Sequence, residues 1–128
     1  MTFIAIYFSE GALKVYHYRH ETEVNADAET TFQWFEHEGS FRRLMPPWEV
    51  AEEVSADDSL EVGSRRVFRF PMGPVKMTWI AEHTAYDPPN HFADRMVKGP
   101  FRSWDHQHHL SEEGGKTTVV DEVSYQVP

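Results

Sequence analysis

From Val75 to His83 the residues alternate without a break, with Val75, Met77, Trp79, Ala81 and His83 on one side and Lys76, Thr78, Ile80 and Glu82 on the other. A period of two marks a β-strand with one face against a core. Turn signals surround this run at regular intervals: Met72-Gly73-Pro74, Asp87-Pro88-Pro89-Asn90, Lys98-Gly99-Pro100 and Glu112-Glu113-Gly114-Gly115. Between them lie stretches that read as strands, at Arg65–Phe70, from Phe92, from Trp104 and at Thr117–Val127, with an earlier one marked by Val50 and Val54. A chain punctuated in this way folds as a series of antiparallel hairpins.

Ahead of these strands, Val15 to Val24 alternates too, placing Tyr16, Tyr18, His20, Thr22 and Val24 opposite Arg19, Glu21 and Glu23. Asn25-Ala26-Asp27 then reads as a stop and a helix N-cap, with Glu29 favourably placed in the first turn. Ala28, Phe32 and Phe35 form the apolar stripe of a short helix from about Ala28 to His37, which Gly39 ends. Phe41 to Leu44 has room for one more helical turn before Pro46-Pro47 forbids continuation. The expected fold class is α+β: a curved antiparallel β-sheet of about seven strands with one or two short helices after the first strand. Such a sheet twists and curls, and its concave side is suited to a ligand.

The 128 residues correspond to one domain, 1–128, with residues 1–13 as an extra N-terminal segment. The apolar run Phe3 to Phe8 lacks a basic leader and is too short to span a bilayer, so it is read as an extra strand or flap. The net charge of −9 argues against a nucleic-acid partner and against an anionic membrane surface. There is no cysteine, which excludes disulfides and thiolate metal sites and suits a reducing, cytoplasmic setting. No phosphate-binding glycine loop, serine-nucleophile motif or H-E-x-x-H is present.

The stretch from Phe92 to His108 carries the chemistry. Alternation puts Phe92, Asp94 and Met96 on one strand face and Trp104, His106, His108 and Leu110 on the next. Asp121, Val123 and Tyr125 share a face of the last strand. Centring the turns near Pro88-Pro89, Gly99-Pro100 and Gly114 lines up His83, Asp94, His106 and Asp121 on neighbouring strands, with His108 one pleat further along. His109 points to the opposite face. Three readings of the row are open. One is a satisfied ladder of imidazoles and carboxylates. The second is a ligand floor, in which His83, His106 and His108 orient the polar head of an apolar molecule among Trp79, Phe92 and Trp104. The third is chemistry, as a His–Asp acid/base pair or as a metal held by His106, His108 and Asp94. The candidate ligand-binding set is Trp79, His83, Phe92, Asp94, Met96, Trp104, His106, His108, Asp121 and Tyr125; no catalytic residue, metal or cofactor is assigned.

Together, Pro46-Pro47-Trp48, Trp79-x-Ala81-x-His83, Phe92-x-Asp94, Gly99-Pro100-Phe101, Trp104-x-His106-x-His108 and Asp121-x-Val123-x-Tyr125 resemble the SRPBCC superfamily. This is the helix-grip fold of START domains, polyketide cyclases and the birch-pollen allergen. The resemblance runs from about Tyr16 to Pro128 and is nearest to small bacterial cyclase/dehydrase-like proteins, some of them fused to an epimerase-like domain. It implies a cavity for a hydrophobic or amphipathic molecule such as a lipid, quinone or polyketide-like compound, bound without catalysis. Two alternatives stand beside it: a cyclase or dehydratase in which His106 or His108, oriented by Asp94, moves protons, and an interaction module or homodimer built on the concave face. The family's long helix after the last strand has no counterpart before Pro128, so a partner or fused domain, or the segment Phe3 to Phe8 as a flap or swapped strand, is expected over that face.

Overall fold

The computed structural model describes residues 2–10, 13–37, 52–57 and 59–128, with side chains from Lys14 onward. The strands are β1 (Thr2–Glu10), β2 (Leu13–Val24), β3 (Glu52–Ala56), β4 (Arg65–Met72), β5 (Val75–Asp87), β6 (His91–Lys98), β7 (Ser103–Glu113) and β8 (Lys116–Gln126), and the single described helix is α1 (Ala28–Glu36). They make one antiparallel sheet in the order β1-β2-β8-β7-β6-β5-β4-β3. The eighth strand beyond the expected seven is β1, which pairs with β2 of its own chain from Thr2↔Glu21 to Glu10↔Leu13. Phe3 to Phe8 thus lies in a sheet strand. Gly39, Phe41–Leu44, Pro46-Pro47-Trp48 and Val50 lie outside the described residues. Among the described residues, no helix is long and apolar enough to cross a membrane.

The turns set the registers. Around Pro88-Pro89 the pairing brings His83 opposite Asp94, and around Gly99-Pro100 it brings Asp94 opposite His106, as the spacing predicts. The last hairpin differs. Gly114 and Gly115 both have positive φ, 61° and 77°. Two such residues make the tight loop whose twist matches the flanking strands, a conformation glycine adopts without steric cost. Glu113 therefore faces Lys116, and Asp121 falls opposite His108 while His106 faces Val123. The expected row is corrected by one pleat at its last member, and the shared face is preserved.

Helix α1 is capped as its sequence predicts. The Asp27 carboxylate accepts from the Thr30 amide at 2.7 Å, and the Thr31 hydroxyl donates to the Asp27 carbonyl at 2.8 Å. Two further bonds fasten the helix start to the β7–β8 hairpin. The Ala28 amide donates to Glu112 Oε1 at 2.6 Å, and the Thr117 hydroxyl donates to the Ala26 carbonyl at 2.8 Å. At the other end, Tyr86 Oη donates to Glu36 Oε2 at 3.0 Å. So held, α1 lays Phe32 onto the sheet, where it joins Leu60, Phe92, Leu110 and Val119 in the buried core. Phe32 is 1% exposed, and burying it contributes about 2–3 kcal/mol.

Candidate functional site

One face of the sheet carries α1 at one end and the candidate residues over the rest. Cross-strand pairing puts the following on that face: Trp79 and His83 of β5, Asp94 and Met96 of β6, Trp104, His106 and His108 of β7, Asp121 and Tyr125 of β8, and Tyr16, Tyr18 and His20 of β2. All ten residues singled out in the sequence therefore share one surface. Phe92, though, is 3% exposed beneath α1, where its ring meets Phe32 and Phe35. It belongs to the core under the helix more than to the open floor.

Away from the helix the face is aromatic. The Trp79 ring stacks on Phe68 at 5.7 Å and meets Trp104 edge-on at 5.2 Å. Trp104 continues to Tyr125 at 5.4 Å, and Tyr125 stacks on Tyr16 at 5.4 Å. Phe101, from the β6–β7 turn, packs against both tryptophans. Each of these rings is half-buried among the described residues. Phe68, Phe70, Phe101, Tyr16 and His20 extend the site beyond the candidate set. Centring the Gly73-Pro74 turn would have found the first two, since it pairs Phe68 with Trp79 and Phe70 with Met77.

Between floor and helix lies a charge-paired cluster centred on His108. Its Nδ1 lies 2.7 Å from Asp121 Oδ1 and its Nε2 lies 3.3 Å from Asp94 Oδ2. His106 Nε2 sits 3.2 Å from the same Asp121 oxygen, and His20 Nδ1 is 3.9 Å from the other. The His106 and His108 rings stack at 3.8 Å. Burial works against charge on His108, but hydrogen bonds to Asp121 and Asp94 outweigh it and hold its pKa above the ordinary imidazole value. Burial likewise opposes ionisation of both carboxylates. Hydrogen bonds from His106 and His108 hold Asp121 well below the usual range, and His108, with the nearby His106 and His83, does the same for Asp94.

His83 behaves differently. It is 8% exposed, and burial pushes its pKa down despite the Asp94 charge and a hydrogen bond with the Ala93 backbone. Its Nδ1 is buried with no hydrogen-bond partner among the described residues. A neutral imidazole with one nitrogen unpaired is a ready acceptor for a hydroxyl brought by a bound molecule. On the opposite face, His109 is exposed and stacks on His91 at 4.7 Å. On the same side, Arg65 lies 2.7 Å from Glu82 Oε2.

Residues 24–128 match the family model for polyketide cyclase / dehydrase and lipid transport. No curated protein matches the sequence. Among solved structures, the protein TTHA0849 from Thermus thermophilus is 18% identical, with a TM-score of 0.67 over 88% of this chain and 75% of that one. The major latex-like protein 151 of Panax ginseng is 16% identical, with a TM-score of 0.64 over 88% of this chain and 80% of its own. A nucleoside-diphosphate sugar epimerase from Corynebacterium glutamicum gives a TM-score of 0.73 at 23% identity, over 86% of this chain and 24% of that protein. These likenesses are of fold.

Proposed function

Because the chain belongs to the polyketide cyclase/dehydrase and lipid-transport family, we propose that it binds a small hydrophobic or amphipathic molecule on the helix-bearing face of its sheet, as a single domain. The apolar body lies against Trp79, Met96, Trp104 and Tyr125, and a hydroxyl or carbonyl of the ligand meets the histidines. One observation carries this reading: the buried Nδ1 of His83, without a hydrogen-bond partner among the described residues, on the same face as a half-buried aromatic floor. Pockets of this class combine many apolar walls with few polar anchors, and a buried polar atom without a partner is costly until something pairs with it.

Binding is preferred over catalysis on the geometry of His108. A general base must turn a ring nitrogen toward the bound molecule, and both nitrogens of His108 are turned toward carboxylates. The test is native mass spectrometry of the purified protein, followed by titration with a naphthoquinone read by tryptophan fluorescence. A co-purifying organic mass, or saturable quenching, that is lost in Trp104→Ala and weakened in His83→Phe supports the proposal. Empty protein with no saturable quenching overturns it.

A further inference from the structure

We propose that Asp94, His106 and His108 form a binding site for a divalent first-row transition-metal ion of the Zn2+ class. One ligand atom from each of the three lies within 4.8 Å of the other two. The strands dictate this convergence. His106 and His108 alternate on β7 and so project to the same side, and Asp94 is directly opposite His106 on β6.

The two contacts of His108 differ in length. Its Nδ1 meets Asp121 at 2.7 Å, an ordinary charge-assisted hydrogen bond. Its Nε2 stands 3.3 Å from Asp94, longer than the about 2.7–2.9 Å of such a bond. Two ligands of a tetrahedral Zn2+, each about 2.0–2.1 Å from the ion, are separated by about 3.3–3.4 Å. The longer spacing is of the size of one edge of such a shell, and all three ligand atoms lie within 4.8 Å of one another. The shorter one matches the outer-shell bond by which a carboxylate orients a ligating imidazole and fixes its tautomer. Asp121 is then a positioning residue: it holds the His108 ring and reaches His106 at 3.2 Å.

Charge points the same way. Two carboxylates, Asp94 and Asp121, converge on His108, and a divalent ion matches their number once the histidines are neutral. Two imidazoles and a carboxylate select a borderline ion over Ca2+ or Mg2+, which prefer oxygen shells. Three protein ligands leave one coordination position for water or for an oxygen of a bound molecule.

Metal binding is separable from apolar binding, because the ion alone serves as the probe. Chelator-stripped protein is titrated with Zn2+ by calorimetry and with Co2+ by visible absorption. Expected are one ion per chain, cobalt bands of a four- or five-coordinate ion, and their loss on adding one equivalent of Zn2+. Asp94→Asn and His106→Gln each weaken binding by about 100-fold or more, and Asp121→Asn by about 10–100-fold. His106 is a quarter exposed, so its substitution is tolerated by the fold. In the unsubstituted protein, Co2+ shifts the imidazole proton resonances of His106 and His108, a readout that depends on no variant. Absence of stoichiometric binding overturns the proposal. So does binding that survives both Asp94→Asn and His106→Gln, which places the ion on other histidines.

Discussion

The imidazole of His108 lies flat against the ring of Phe92, with centroids 4.1 Å apart and planes 7° from parallel. Phe92 is also the ring on which Phe32 and Phe35 of the helix rest. The hydrophobic core and the charged cluster therefore share a wall, and a protonated His108 gains from the aromatic face beneath it. Phe92→Leu keeps most of the apolar volume and removes that face. It is expected to cost about 1–2 kcal/mol of stability and to lower the His108 pKa, read as an earlier midpoint of its ring-proton shift in an NMR titration.

Stability of the metal-free protein should depend on pH in two opposing ways. His108 has its folded pKa above the 6.5 of a free imidazole. Its contribution is complete below pH 6.5 and is lost as pH rises through the folded value. His83 has its folded pKa below 6.5. Its contribution is complete above pH 6.5 and is lost as pH falls. Asp94 and Asp121, both lowered from 3.8, add stability that disappears only as acid carries the pH down through their folded values. Stability from urea unfolding in the presence of chelator is expected to peak near pH 6.5, with an alkaline limb that shrinks in Asp121→Asn. A flat profile from about pH 6.5 to 9 in the unsubstituted protein contradicts this account of His108.

The β6–β7 turn needs glycine for room. A Cβ at Gly99 would sit 2.9 Å from Cγ of Met96 and closer still to its sulfur, with Trp79 just beyond at 3.5 Å. Gly99→Ala must push the Met96 side chain along the aromatic floor. The expected cost is about 1–3 kcal/mol, together with a changed tryptophan emission from the displaced packing around Trp79. An unchanged melting temperature and spectrum would show that Met96 yields freely.

Asp27→Ala removes the side-chain acceptor of the Thr30 amide and should destabilise the protein by about 1 kcal/mol. Since Glu112 and Thr117 hold the same helix start from the hairpin, Asp27→Ala combined with Glu112→Gln is expected to cost more than the sum of the two. A double-mutant cycle from thermal unfolding measures the excess.

Hairpins and their faces were legible because alternation and turn residues are local properties. The helix start at Asp27, the pairing of His83 with Asp94 and of Asp94 with His106, and the common face of all ten candidates follow from spacing alone. What spacing did not show was the two-residue geometry of the Gly114–Gly115 loop. That moved Asp121 from His106 to His108 and so moved the centre of the cluster. Nor does any local pattern show that Phe92 turns inward under α1 while Trp104 does not. That depends on where the helix lands, which Glu112, Thr117 and Tyr86 decide from distant positions.

Every strand pairing in the sheet but one joins neighbours in sequence, and the exception is β2 with β8, on the side of β2 away from β1. Across that seam His17 meets Ser124, 107 residues away. Contacts so distant close late, after the local hairpins have formed. During synthesis β2 emerges roughly a hundred residues before β8, so Tyr16, Tyr18 and His20 have β1 beside them early and meet their β8 partners only near the end of translation. The last members to reach the cluster are then His20 and the Tyr16 edge of the aromatic floor, and the candidate face is completed where β2 meets β8.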